Sequence, residues 1–250
     1  MTAALAEALA TEGLWRLFAA VLLGGLVRGF AGFGGALIYM PAAATVLPPV
    51  WALITLTLID IAGPVPNLPG AWANARRREV AVLLAGAVLA LPLGVWTLSR
   101  LPAEPFRWGL SAFVILLLGL MMLGWRYRGR VGDALVAAIG VVGGFLGGLT
   151  GMAGPPVIVF YMAAGHAPVV MRANLLVFFL AVDLLVLATL ALSGRLEAVP
   201  VAIAVLLAPL YMLANIAGGR LFRPEHARAY RFIAYGAISL SALVSLPLWD

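Results

Sequence analysis

Eight apolar stretches almost free of charge, at residues 14–47, 50–72, 79–98, 106–125, 133–165, 169–192, 198–218 and 230–248, leave this chain little material for a wetted surface. A helix needs about 20 apolar residues to cross roughly 30 Å of hydrocarbon, and six of the stretches have that span length. Of 250 residues, 64% are hydrophobic and 10% charged, whereas soluble domains carry roughly 25% charge. The reading is an all-α polytopic protein in a bilayer, which excludes a soluble enzyme and a nucleic-acid binder. The net charge of +6, all of its basic side chains arginine, serves as an orientation signal in such a chain. With no cysteine there is neither a disulfide framework nor thiol chemistry, and His166 and His226 stand too far apart for metal-ligand spacing. Neither a metal nor a cofactor is expected. Residues 1–12 hold Glu7 and Glu12 but no basic residue, so they lack the positive start of a cleaved signal peptide and read as mature.

The two anomalous stretches, 14–47 and 133–165, are too long for one crossing, and glycine breaks both centrally. Shifting the first by 119 residues lays Gly24, Gly25, Gly29, Gly32 and Gly35 on Gly143, Gly144, Gly148, Gly151 and Gly154, and carries Pro49 onto Pro168 without a gap. Over residues 19–62 that register gives 11 identities in 44 positions. A gapless match through the following helix indicates duplication, with repeats at 1–128 and 129–250.

Arginine placement decides whether the broken stretches cross the membrane. If all eight cross, eight connecting arginines fall on one side and seven on the other. If the two broken stretches enter and return as hairpins, and the N-terminus is outside, eleven fall inside (76, 77, 78, 126, 128, 130, 172, 220, 223, 228, 231) and four outside (16, 100, 107, 195). The second arrangement obeys the positive-inside rule. Each half is then one re-entrant hairpin plus three spans. Hairpin 14–47 leads into spans 50–72, 79–98 and 106–125, and hairpin 133–165 into spans 169–192, 198–218 and 230–248. An odd number of crossings per half makes the repeats inverted, with both termini outside.

A short half-helix should begin at each break, near Gly35 and near Gly154 with Pro155 and Pro156, proline suiting a first helical turn. Glycine admits a ligand close to the backbone. Unpaired N–H groups and the helix dipole favour an anion by about 0.3–1 kcal/mol per terminus. The competing use of these glycines is close helix packing. Arg28 lies inside the first glycine cluster, where its repeat mate is Gly147. An arginine at membrane depth costs about 2.5–3.5 kcal/mol on insertion scales, so it has a partner. That partner is an oxyanion, whose oxygens its guanidinium matches, or Asp60, or else water reached by snorkelling toward the outer interface. Asp60 and Asp183 lie inside predicted spans and are candidates for coupling to a proton or sodium, Asp183 having no obvious basic neighbour. Thr55 and Asn174 are mates under the shift, each six residues past a matched proline, and are either ligand contacts or interhelix glue.

The paired segments Gly-Phe-Ala-Gly-Phe-Gly-Gly at 29–35 and Gly-Leu-Thr-Gly-Met-Ala-Gly at 148–154, each closing an apolar hairpin, resemble the TauE/SafE family of sulfite and organosulfur anion exporters. Both repeats are present in order, so the similarity covers nearly the whole chain. Ala36 and Ala153 interrupt the family's longer glycine run, and Pro155–Pro156 departs from it in the second copy. The resemblance implies transport of small anions such as sulfite, sulfoacetate or other sulfonates across a bacterial inner membrane. Its ligand contacts would be Gly32, Phe33, Gly34 and Gly35, then Gly151, Met152, Ala153 and Gly154, with Thr55 and Asn174 adjoining; Arg28 is added from the residues alone. The expected mechanism is alternating access around an anion held between the two glycine-rich tips. An anion channel, a carrier of small carboxylates and a homodimer stay open, and an intramembrane enzyme is disfavoured for want of a nucleophile and base.

Overall fold

A computed structural model describes residues 2–63, 68–123, 132–163, 167–221 and 227–248. Arg126, Arg128, Arg130, His166, Arg223, His226, Arg228 and Arg231, named above for charge or spacing, lie outside the described residues or their described side chains. Every described element is a helix. In chain order these are α1 (Thr2–Leu9), α2 (Leu14–Ala31), α3 (Gly35–Ala43), α4 (Pro49–Ala62), α5 (Leu68–Asn74), α6 (Arg77–Leu98), α7 (Ala103–Leu123), α8 (Asp133–Thr150), α9 (Gly154–Ala163), α10 (Pro168–Leu192), α11 (Ala198–Leu221) and α12 (Ala227–Val244).

The 119-residue spacing recurs in the element bounds. Added to 14–31 it gives 133–150, the limits of α8; added to 35 and 49 it gives the first residues of α9 and α10. Local chemistry explains the recurrence. Gly32 (φ 79°) and Gly151 (φ 70°) end α2 and α8 in the left-handed conformation, each N–H donating back to the carbonyl of Arg28 or Gly147. That closure is open to glycine because it has no Cβ to strain. Gly34 (φ 96°) then caps α3, and Pro49 and Pro168 occupy first-turn positions, where a missing N–H costs nothing.

Among the described residues, five helices are long and apolar enough to cross a membrane: α6, α7 over Ala103–Leu120, α8, α10 over Val169–Leu192, and α11. A sixth qualifies if α1 and α2, bent by 83°, count as one broken span. Fewer than half of the residues in each of the five are buried. The outward side chains include Leu89, Leu93, Val205 and Leu213, which face lipid without penalty. The stretch at 50–72 is not one described helix: α4 stops at Ala62, α5 starts at Leu68, and 64–67 lie outside the described residues.

The chain divides into two compact units. The first, Met1–Gly63 with Leu101–Leu123 and Leu196–Asp250, holds α1 to α4, α7, α11 and α12. In it α2 folds back on α3, α11 packs along α2 and α4, and α12 packs on α3 and α7. Arg107, buried near the start of α7, donates to the Ser245 carbonyl just past α12, beside a Ser111–Ser245 hydroxyl contact of 2.6 Å. A cation there complements the carbonyl end of the helix. The second unit, Pro64–Arg100 with Gly124–Arg195, holds α5, α6 and α8 to α10; α6 packs along α8, and α10 against α5 and α6.

Glycines make both long crossings possible. A Cβ on Gly29 would overlap the Asn215 carbonyl of α11, and one on Gly218 the Leu26 carbonyl of α2. In the second unit the same holds for Gly148 against Leu91 and for Gly140 against Leu83. Small residues let the backbones approach within contact, the packing mode available where lipid removes the hydrophobic drive between helices.

Candidate functional site

In the first unit the chain reverses at 32–34 and brings α3 back along α2. A Cβ on Gly24 would lie 3.1 Å from the Gly35 carbonyl, and one on Gly13 would lie 3.2 Å from Val46. The beginning of α2 therefore stands beside the residues following α3. Gly32 is exposed with nothing within 4 Å of a notional Cβ, Phe33 and Gly34 are partly buried, and Gly35 is buried. From Gly35, Ala36 and Leu37 come N–H groups with no carbonyl inside α3 to receive them.

Three polar side chains converge beside this break. Arg28 Nη1 of α2 stands 2.5 Å from Asp60 Oδ2 of α4, with side chains only 12% and 9% exposed. The Tyr211 hydroxyl of α11 donates to the other carboxylate oxygen, Oδ1, at 2.5 Å. A Cβ on Gly35 would be 2.6 Å from that hydroxyl and 3.5 Å from Arg28 Cβ, so the opening turn of α3 rests on the cluster. Asn215, one turn beyond Tyr211, presents its amide nitrogen near Gly63 at the end of α4. Of the partners the sequence allows Arg28, the structure contains Asp60. A buried ion pair of this kind is costly to break from one side, because the charge left behind is desolvated.

The second break has the same backbone and different side chains. Met152 and Ala153 are buried, Gly151 and Gly154 partly so. Gly147, the mate of Arg28, packs on Ala153 and Val182; a Cβ on Gly154 would meet the Phe179 ring at 3.2 Å, and Phe179 is the mate of Asp60. The counterpart of Tyr211 is Ala87 of α6, whose carbonyl meets a notional Cβ on Gly144 as the Tyr211 carbonyl meets one on Gly25. All three members of the polar cluster are thus replaced in the other half. Pro155 and Pro156 also remove two of the N–H groups with which α9 would open.

Thr55 and Asn174 are both fully buried. Thr55 accepts from the Tyr39 hydroxyl of α3 at 2.8 Å and donates to the Ala52 carbonyl. Asn174 accepts from the Arg76 backbone N–H at 2.7 Å and lies 3.4 Å from Glu79, with Tyr161 alongside. Asp183 is partly buried on α10. Tyr211, Tyr39, Tyr161 and Glu79 are the members that sequence reading misses. The tyrosines look like ordinary apolar-face aromatics, and Glu79 directly follows Arg76–Arg77–Arg78, where an acid reads as interfacial.

Long lipid-facing helices, paired glycine-broken hairpins and a charged cluster held at one break define a polytopic membrane transporter rather than an enzyme. The profile of the family described as Sulfite exporter TauE/SafE matches residues 17–245, and the chain belongs to that family. A curated relative from Cupriavidus necator, named probable sulfite/organosulfonate exporter TauE, is 27% identical over 234 residues, covering 88% of each chain. No solved structure matches the chain.

Proposed function

We propose that the protein is a secondary transporter of small sulfur oxyanions, sulfite or organosulfonates, and that it takes its substrate at the first glycine break. The observation that carries this reading is the Arg28–Asp60–Tyr211 cluster lying against the opening turn of α3. A guanidinium and a row of free N–H groups offer several donors to one tetrahedral anion, and Gly32 and Gly34 leave the approach free of side chains. Sulfur as the central atom is supported by the family and by the name of the Cupriavidus relative. The arginine distribution supports inverted repeats with both hairpins re-entrant, the termini on the outer face of an inner membrane, and alternating access as the transport mode. The proximity of Gly13 to Val46 supports a hairpin whose two ends share one side. Asp183 stands with Asp60 as a carboxylate available for coupling.

The test is ligand-dependent thermal stabilisation of the purified protein across sulfite, sulfonates, thiosulfate and small carboxylates. A site-specific ligand at 100 times its Kd adds about 2.7 kcal/mol. Sulfite or a sulfonate should raise Tm in the wild type and leave Arg28→Lys almost unmoved, since an ammonium keeps the charge but not the fork of donors. Equal stabilisation of both proteins would remove Arg28 from the site.

A further inference from the structure

We infer that the Arg28–Asp60 pair is a proton-linked exchange site, in which an incoming monoanion displaces the Asp60 carboxylate from Arg28 and Asp60 takes up one proton. This rests on the anion site proposed above and concerns what happens to the carboxylate already there.

The charge balance forces the step. The free cluster holds one cation and one carboxylate, both largely withdrawn from water, and is neutral. An added monoanion would leave it with a net negative charge in a medium that screens poorly, a penalty borne by any buried ion without a partner. If Asp60 binds a proton as it leaves the guanidinium, the cluster is again neutral, with Arg28 paired to the substrate and Asp60 a neutral carboxylic acid. Among the described residues, the titratable and charged groups shown facing Asp60 from the helices packed on α4 are Arg28 of α2 and Tyr211 of α11; Tyr39 of α3 is turned to Thr55. Once Arg28 has turned to the substrate, the Tyr211 hydroxyl remains in place to bond the protonated acid. No bond other than O–H forms or breaks, and the proton comes from the aqueous side to which the site is then open.

The other half of the chain supports a joint role for these groups. Arg28, Asp60 and Tyr211 correspond to Gly147, Phe179 and, by its contact with the crossing helix, Ala87, so the set is present complete at one break and absent complete at the other. A dianion would again leave the cluster charged, so singly charged sulfonates are the preferred class.

The linkage has a definite sign. Binding that takes up a proton weakens as pH rises: Kd increases about tenfold per pH unit wherever Asp60 is ionised in the free protein and protonated in the complex. The experiment is calorimetric titration of the full-length protein with methanesulfonate and with isethionate, which stay monoanionic, in buffers of different ionisation enthalpy at about pH 6 and about pH 8. The expected result is uptake close to one proton per anion in the wild type. Asp60→Asn should bind with no uptake and the same Kd at both pH values. Saturable wild-type binding without proton uptake overturns the exchange and leaves the anion site standing, as does full uptake by Asp60→Asn. The absence of saturable heat with either sulfonate overturns the site and the exchange together. The wild-type measurement decides the matter on its own if Asp60→Asn does not fold.

Discussion

The two glycine breaks share a backbone and differ in almost everything that could hold a charged ligand. Both long arms end in a left-handed glycine, both short arms start 119 residues apart, and both arms are crossed by a helix at glycine contact distance. Around Gly35 stand an arginine, an aspartate and a tyrosine; around Gly154 stand phenylalanine, isoleucine and two prolines that lack N–H groups. The shared part is what a chain needs to reverse direction within a protein-lined interior. The difference separates the architecture of a break from its chemistry: the glycines build both, and the side chains give only one of them the charged cluster on which the proposed anion site rests.

The strongest way to break this comparison is to convert the first break into the second. Arg28→Gly or Asp60→Phe alone strands a buried charge and should cost about 3–5 kcal/mol of stability. The combination Arg28→Gly with Asp60→Phe imports the residues of the other half and should recover most of that loss. A shortfall of about 1–3 kcal/mol should remain, because the Tyr211 hydroxyl has lost its acceptor. Unfolding of all three variants in detergent gives the cycle. Neither variant that lacks Arg28 should be stabilised by sulfite or a sulfonate. A double variant as unstable as the sum of its parts would mean that the two charges are independent, and that the apolar break is no template for the polar one.

A smaller effect sharpens the shared half of the comparison. Gly29→Ala and Gly148→Ala each force a methyl into a backbone carbonyl of the crossing helix, α11 or α6. Overpacking of this kind costs about 1–3 kcal/mol, and the two variants should fall in Tm by similar amounts. Gly32→Ala meets no neighbour but holds φ at 79°, and should lose about 1–2 kcal/mol through backbone strain alone. A Gly148→Ala protein as stable as the wild type would show that only the first crossing depends on close approach.

How much of this is legible in the sequence follows the range of the interactions. Helix starts at Gly35 and Gly154, the left-handed closures and the hairpins are local consequences of glycine and proline, and the repeat register carries them from one half to the other. The charge pair is half legible: Arg28 must have a partner and Asp60 is a short chain distance away, but nothing local chooses between it and a ligand. Tyr211 is invisible, since it reaches Asp60 across 151 residues from an apolar helix face that predicts only lipid or core. The partners of α2 and α8 are hidden for the same reason. Glycine spacing marks a face ready for close packing and does not say that α11, from the other sequence half, fills it, or that α6 fills the face of α8. The helix at Thr2–Leu9 and the end of α4 at Ala62 also escape a reading built on long apolar runs.

The smallest expected effect tests the second break directly. Pro155→Ala with Pro156→Ala restores two N–H donors to the opening turn of α9, adding what a helix terminus contributes to an anion, about 0.3–1 kcal/mol. If anions are held only at the first break, sulfonate-dependent stabilisation in this variant should match the wild type within error. Tm should shift by a degree or two at most, because proline's preorganised φ is exchanged for alanine's better helix propensity. If the variant instead binds sulfonate severalfold more tightly, the terminus of α9 already faces the ligand. The prolines would then be tuning a two-sided site, as the paired glycine tips suggest from sequence. The measurement separates a transporter that grips its substrate from one hairpin from one that grips it from both, which side-chain asymmetry alone does not do. Gly147 and Phe179, standing where the first break has Arg28 and Asp60, argue for the first: a donor restored at that turn would lack a counterpart of Arg28 to share the anion with.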